Sequence, residues 1–165
     1  MRQDIFFLIC VLLMISCKNG TKIDEEGYMS VKIENGSGDD FSYISGDTTI
    51  FFAPYPFSTG HLKDNQQSNE VMIISRSLDA GDIVAIKPLA RLELESVKSG
   101  KETVILAIPV DDGLSIISAQ GFDDFVVSHF GLKQIVEFWY SNRYGLQGTR
   151  VVGWSPASSE DIKDS

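Results

Sequence analysis

Residue types that commonly do chemistry in proteins are sparse in this sequence. The two histidines, His61 and His129, lie far apart with no cysteine near either, so a zinc site is not expected. The two cysteines, Cys10 and Cys17, both lie near the amino terminus, which leaves the rest of the chain without a thiol nucleophile. No serine lies in a Gly-x-Ser-x-Gly motif. No glycine-rich loop that would bind a nucleotide phosphate is present.

Two pairs of adjacent aspartates are further candidates for a metal site. Asp111 and Asp112 precede Gly113, a pattern more typical of a turn after a strand than of a metal-binding loop. Asp123 and Asp124 fall at the expected start of a helix, where the helix dipole favours carboxylates. We expect structural roles for both pairs.

The overall composition indicates a folded, acidic protein of about one domain. The chain has 165 residues, of which 43% are hydrophobic. It contains 14 Lys and Arg and 23 Asp and Glu residues, for a net charge of −9. A surface this acidic repels phosphate backbones. Nucleic acid is therefore not an expected partner.

Residues 1–16 are typical of a bacterial secretory signal. Arg2 supplies the positive charge, and an apolar run follows that is shorter than the ~20 residues of a transmembrane helix. The run ends in Ser16 and Cys17, which resembles the lipobox of bacterial lipoproteins, in which the cysteine is lipidated. We expect a lipid anchor on Cys17 and a location in the cell envelope, on the periplasmic face or the cell surface. The alternative is an ordinary cleaved signal with an incidental Cys17.

The segment after the signal is expected to be a tether to the membrane. Residues 17–27 are mostly polar, which favours a flexible linker between the lipidated cysteine and a folded domain at residues 28–165. That domain has no cysteine, so its stability must come from a hydrophobic core or a partner rather than from disulfides.

Most of the domain has the pattern of β-strands. Alternation of apolar and polar residues, β-branched runs and turn residues predict strands at 29–34, 41–44, 47–52, 71–75, 83–94, 103–110 and 149–154. Residues 61–69 are interpreted as a polar loop.

The periodicity changes after Pro109 and indicates helices. A short helix is predicted over 122–130. A longer one runs to about Tyr144, because apolar residues recur at helical spacing at Leu132, Ile135, Val136 and Trp139. Trp139 is predicted in the core and Tyr140 on the surface. A last short helix is predicted to start at Ser155-Pro156. Strands followed by one main helix favour an α+β fold, mainly β, such as a small closed barrel.

Five segments in this order resemble the soluble inorganic pyrophosphatases of family I. They are residues 55–60 (YPFSTG), 78–88 (LDAGDIVAIKP), 100–109 (GKETVILAIP), 137–139 (EFW) and 152–154 (VGW). The resemblance covers about residues 29–154. It implies a small OB-like closed β-barrel with one main C-terminal helix packed on it. It also implies hydrolysis of diphosphate by several Mg²⁺ ions held on clustered aspartates, with basic and tyrosine side chains binding the phosphate oxygens.

The positions that the resemblance assigns to metal binding are mostly changed. The family's Asp-x-Asp-Pro-x-Asp loop corresponds to residues 65–70, where only Glu70 keeps a carboxylate. A second aspartate cluster corresponds to residues 95–102 and ends in Glu102. Together, Glu70 and Glu102 are the candidate metal ligands, for one Mg²⁺ ion if any activity remains. The simplest interpretation of both segments is a polar loop and solvated carboxylates.

The phosphate-binding positions are changed as well. Val104 replaces a lysine, Thr59 replaces a tyrosine, and a Tyr-Lys pair becomes Asn142-Arg143, which keeps one cation. Loss of a single positioned electrostatic group typically costs a factor of about 10²–10³ in rate, so several losses leave little catalysis. Arg143 completes the candidate catalytic set with the two glutamates, and we expect this set to share a cavity with Thr59.

Three hypotheses follow from these residues. The first is a pyrophosphatase-like envelope lipoprotein that is catalytically inactive and acts as a binding or structural module, with a small phosphate ligand or an envelope protein as partner. The second is an Mg²⁺-dependent inorganic diphosphatase with a reduced active site formed by Glu70, Glu102 and Arg143. The third is a subunit that docks to an outer-membrane assembly through exposed barrel loops.

Overall fold

The computed structural model describes residues 28–65, 67–97, 100–143 and 148–163. The predicted signal peptide, the predicted lipidation site Cys17 and the predicted tether at residues 17–27 lie outside this part of the chain. Among the described residues, none of the helices has the length and apolar character needed to cross a bilayer.

The described part of the chain forms eight strands and three helices. The strands are β1 (Met29–Asn35), β2 (Ser42–Ser45), β3 (Thr48–Phe51), β4 (Ser58–Leu62), β5 (Glu70–Ile73), β6 (Ile83–Ser96), β7 (Gly100–Pro109) and β8 (Thr149–Pro156). The helices are α1 (Phe122–Ser128), α2 (Phe130–Asn142) and α3 (Ser159–Lys163).

Five of the strands form a closed ring. The sheet order is β1-β4-β5-β7-β6, and β1 also pairs with β6, from Met29 opposite Ile86 to Lys32 opposite Ile83. All of these pairs are antiparallel except β5 with β7. β8 extends the sheet along the second half of β6, and β2 and β3 form a separate hairpin. The predicted fold class, mainly β with an OB-like closed ring and one main helix, is confirmed.

A bulge in β6 allows this strand to serve both the ring and its extension. Pro88 lies opposite Ala107 and Ala90 opposite Leu106, so Leu89 is an extra residue in the ladder. Such an extra residue bends a strand and increases its twist. Before the bulge β6 pairs with β1, and from Ala90 onward it pairs with β8.

The sheet is buried on both faces, and each face has its own hydrophobic cluster. On β7, Ile105 and Ala107 point into the ring, whereas Val104, Leu106 and Ile108 point toward the helices. Because both faces are covered, this strand is a nearly continuous apolar run instead of an alternating one. The inner cluster is closed at one end by α3, whose Ile162 is fully buried.

The long helix α2 packs on the outer cluster, but through a stripe that differs from the prediction. Val136 and Trp139 are buried as expected, and the Trp139 indole donates to the carbonyl oxygens of Ala53 and Pro54 at 3.1 and 3.0 Å. The prediction that Tyr140 is exposed is wrong, because it is fully buried. Ile135 lies on the other side of the helix and is 48% exposed.

Two further predictions of local structure are wrong. β4 lies partly in the segment interpreted as a polar loop, since it contains His61 and Leu62. Gly60 allows this strand to approach β1 closely: a Cβ atom there would overlap the backbone carbonyl oxygen of Lys32. The last helix begins at Ser159 rather than at residues 155–156, because Pro156 still belongs to β8.

Candidate functional site

The three candidate residues meet where the starts of two parallel strands face the end of α2. Glu70 is the first residue of β5 and lies opposite Val104 of β7, so Glu102 precedes this pair at the same edge of the sheet. Arg143 follows the last residue of α2 and donates its backbone N–H to the carbonyl oxygen of Trp139. The helix end thus brings a cation to two carboxylates.

The guanidinium group of Arg143 lies against both glutamates. Its Nη2 atom donates to Oε2 of Glu102 in a close contact, and its Nη1 atom lies 3.9 Å from Oε1 of Glu70. Arg143 is only 6% exposed, and its Cζ atom lies 4.7 Å from the centre of the Tyr140 ring. An arginine that is buried this far requires such partners, since desolvation of an unpaired charge is costly.

Tyr140 is a functional candidate that the sequence analysis missed. Its hydroxyl donates to Oε1 of Glu70. Burial, and next the negative charge of Glu70, raise the pKa of the Tyr140 phenol well above its usual value, so the phenol stays protonated and donates at neutral pH. The signal was available in the sequence, because Tyr140 follows Val136 by four residues and therefore shares its helix face.

A cavity of about 500 Å³ opens beside this cluster. Glu70, Glu102 and Arg143 line it, together with Ser68, Asn69, Lys101, Thr103 and Val104. Thr59, which we expected in the same cavity, is not among its lining residues. It is buried at 1% exposure, and its hydroxyl accepts a hydrogen bond from Asn35 Nδ2 at 3.1 Å.

The segment that resembles a metal loop is used for structural hydrogen bonds. Asn65 Oδ1 accepts from the backbone N–H of Gln67 at 3.0 Å, and Ser68 Oγ accepts from the N–H of Leu62 at 3.0 Å. Asn69 Nδ2 donates to the carbonyl oxygen of Asp161, which connects this segment to α3. The amides therefore close a turn and hold a helix.

The other acidic candidates have the structural roles expected from the sequence. Asp111 Oδ1 accepts from the N–H of Gly113 at 2.8 Å within a turn. Asp124 lies in the first turn of α1, where hydrogen bonds from the Ser128 hydroxyl and then the Gln120 N–H lower its pKa.

The two histidines are also separate in space and in partners. His61 Nδ1 lies 3.2 Å from Oε2 of Glu34 on β1, and the His129 ring packs against Phe125. Within the described ranges, no three His, Cys, Asp or Glu side chains are grouped so that they could bind a metal ion.

The donor set does not fit the cluster of several Mg²⁺ ions that the resemblance implies. Closely spaced divalent cations need several carboxylates to offset their mutual repulsion. Here two carboxylates converge, and both already accept hydrogen bonds from the protein, Glu102 from Arg143 and Glu70 from Tyr140. That Glu70 and Glu102 hold a single metal ion stays a prediction.

Comparison with solved structures identifies the fold. No protein-family model matches the sequence, and no curated protein matches it. The structure is similar to inorganic pyrophosphatase from Thermus thermophilus (TM-score 0.66, 16% identity, covering 87% of this chain and 91% of that one). It is also similar to the Coxiella burnetii enzyme (TM-score 0.61, 16% identity, covering 90% and 94%).

A third similar structure is a truncated Trypanosoma cruzi vacuolar soluble pyrophosphatase in complex with PPi (TM-score 0.66, 11% identity, covering 88% of this chain and 70% of that one). The chain thus has the fold of the inorganic pyrophosphatases over most of its length. Sequence identities this low establish the fold alone and not the activity.

Proposed function

We propose that this protein is a catalytically inactive, pyrophosphatase-like lipoprotein of the bacterial cell envelope that acts as a binding or structural module. One observation carries the proposal: the guanidinium of Arg143 lies against both carboxylates that would have to bind metal ions. An internal cation at this position occupies the ligands before any Mg²⁺ ion reaches them.

The charges of the cluster support this function. Glu70 and Glu102 carry two negative charges, and Arg143 neutralises one of them. The cluster retains about one negative charge, which is too little to hold several divalent ions together with a diphosphate. Arg143 is already paired with the glutamates, and Lys101 is the other cation in the lining of the cavity, so without the ions few positive groups can stabilise a diphosphate transition state.

The decisive measurement is phosphate release from diphosphate by the full-length protein, purified in detergent, with Mg²⁺ or Mn²⁺ present. We expect no release above that of a blank. Release by the wild-type protein that disappears in Glu70→Gln would establish the diphosphatase instead. Asp112→Asn is the matched control, since Asp112 is an exposed turn residue away from the cluster.

The diphosphatase remains a second candidate because of one specific observation. Glu70, Glu102 and Arg143 line the same cavity, and its volume of about 500 Å³ has room for a small phosphate ligand.

If the protein is an inactive module, its partner is either a small phosphate ligand or an envelope protein. Calorimetric titration of the protein with phosphate, with and without Mg²⁺, separates these two possibilities. Heat of binding indicates a retained anion site, and its absence favours an envelope protein as the partner, which a pull-down from membranes would identify.

The envelope location has its own test. We propose that Cys17 carries the lipid anchor and that residues 17–27 tether the domain to the membrane. Cells grown with labelled palmitate should incorporate the label into the wild-type protein and into Cys10→Ala, but not into Cys17→Ala. Label in the Cys17→Ala protein would contradict the anchor.

A further inference from the structure

The glutamate pair of the site has the composition of a small cation site that the chain itself fills. We propose that Arg143 is the built-in counter-cation of a latent divalent-cation site formed by Glu70 and Glu102, and that this site is closed to Mg²⁺ and Ca²⁺ while Arg143 is present. The inference rests on the proposed function, in which the same cluster is catalytically silent.

The geometry places the guanidinium where a bound ion would have to be. Arg143 contacts Glu102 through Nη2 and approaches Glu70 through Nη1 at 3.9 Å, so the two carboxylates lie against one cation. The glutamate side chains are 26% and 22% exposed, and both line the open cavity. An ion could therefore reach these oxygens from solvent once the guanidinium is removed.

The number and type of ligands suit a single hard cation. Mg²⁺ is commonly held by one or two carboxylates while it keeps several of its waters, and Ca²⁺ takes additional oxygen ligands flexibly. The open cavity leaves space for such waters, and Ser68 and Thr103 also line it. The guanidinium is thus the positive charge that excludes an ion, although Tyr140 still donates to Oε1 of Glu70 when the guanidinium is removed.

Arg143 has two advantages over a free ion in this position. It is held by α2 and by packing against the Tyr140 ring, so it is present at the site without loss of translational freedom. It is also weakly hydrated, whereas Mg²⁺ gives up its waters reluctantly. The single guanidinium therefore excludes an ion of twice its charge.

Removal of the arginine charge provides the test. Arg143→Gln removes the guanidinium that contacts both carboxylates, so the variant should be less stable than the wild type and should regain stability when a divalent ion binds. Carboxylate sites of modest affinity bind Ca²⁺ with dissociation constants of about 10⁻⁴–10⁻³ M, so about 10 mM Ca²⁺ would largely fill the site.

The measurement is the urea midpoint of the full-length protein in detergent with CaCl₂ or MgCl₂, compared with NaCl at equal ionic strength. The midpoint of Arg143→Gln should rise with the divalent salts. Those of the wild type and of Arg143→Lys, which keeps the positive charge, should not. The double variant Glu102→Gln/Arg143→Gln should lose the response because one ligand of the pair is missing.

Several outcomes would overturn the inference. A divalent-dependent rise in the wild type that Glu102→Gln abolishes would show an open site, and no rise in Arg143→Gln would show that no site exists. If Arg143→Gln folds only in CaCl₂, the proposal is supported; if it folds in neither salt, it is rejected. Phosphate release by the wild type would overturn the proposed function without deciding the stability test, so the two failures are distinguishable.

Discussion

The side-chain amide of Asn69 donates a hydrogen bond from Nδ2 to the backbone carbonyl oxygen of Asp161 at 2.6 Å. This contact joins the segment before β5 to α3. The backbone N–H of Asn69 makes a second contact to the carbonyl oxygen of Ile162 at 3.3 Å, and the Ile162 side chain closes one end of the barrel core. An ionised aspartate at position 69 would have no donor for this carbonyl group.

Asn69→Asp should therefore destabilise the domain, although the change adds no bulk. It replaces a donor by a charged acceptor facing a carbonyl oxygen, and the loss of such a partly buried hydrogen bond costs about 1–3 kcal/mol. The free energy of unfolding from urea titration measures the loss. Asn65→Asp is the matched control, because Asn65 uses Oδ1 as an acceptor and aspartate keeps that role. Equal effects of the two changes would contradict this explanation.

Gly60→Ala should disrupt the pairing of β1 and β4. The added methyl group would overlap the carbonyl oxygen of Lys32, a backbone atom that cannot rotate away. Overpacking in a core typically costs about 1–3 kcal/mol and occasionally more, and backbone overlap belongs at the upper end. Thermal unfolding followed by circular dichroism measures the change. Gly153→Ala, on β8 with no atom near the added group, should leave the midpoint nearly unchanged.

Alkaline pH should destabilise the wild-type protein through Tyr140. The folded-state pKa of this phenol is raised by burial and by Glu70, so the folded state keeps its proton at pH values where the unfolded chain releases it. Stability is unaffected below the unfolded value of about 10 and falls above it, by up to about 1.4 kcal/mol per pH unit. Urea titrations at several pH values from about 8 to about 11 measure the slope.

Tyr140→Phe should lose stability at neutral pH, because the hydrogen bond to Glu70 is gone, and should show a shallower alkaline slope. Tyr43→Phe, at a half-buried position on the β2–β3 hairpin, is the control because it leaves the buried Tyr140 phenol in place. A slope that is the same in wild type and Tyr140→Phe would rule out this tyrosine as the cause.

Acid should weaken the attachment of α3 through Asp161. The hydrogen bond from the Ser158 hydroxyl lowers the pKa of this carboxyl most. Burial opposes that effect, and the Ser158 N–H and the nearby Arg91 guanidinium lower the pKa further. Its contribution to stability is complete above the unfolded pKa of about 4 and is lost as the pH falls through the lower folded value. Asp161→Asn should flatten the acid limb of the stability profile, whereas Asp112→Asn should not.

The β-rich fold was predictable because its signals are local. Alternation in β1, the turn at Gly46 and the apolar run of β7 each identify a strand without knowledge of its partners. β4 was missed because its residues include a glycine and a histidine, whose places in a strand depend on β1 lying close by. A requirement set by a distant strand leaves no periodic pattern in the sequence.

Three members of the candidate site were predictable from the sequence, but Tyr140 and the chemistry of the site were not. The resemblance identified Glu70, Glu102 and Arg143, and the structure brings them together. That Arg143 neutralises the glutamates, and that Tyr140 points inward to Glu70, depends on the position at which α2 ends against the sheet. A shift of one residue in that helix end would direct the guanidinium elsewhere.

Closure of the ring by β1 affects how the protein is made. Met29 is paired with Ile86 in the finished barrel, yet at about 5–20 residues per second a ribosome adds Ile86 several seconds after Met29. During that interval β4 becomes available to pair with Val31 and Ile33, but β6, which closes the ring on the other side of β1, is still missing. The first strand of the barrel thus keeps one edge unpaired until β6 has been made, and an unpaired strand edge is a place where an unfinished chain can aggregate.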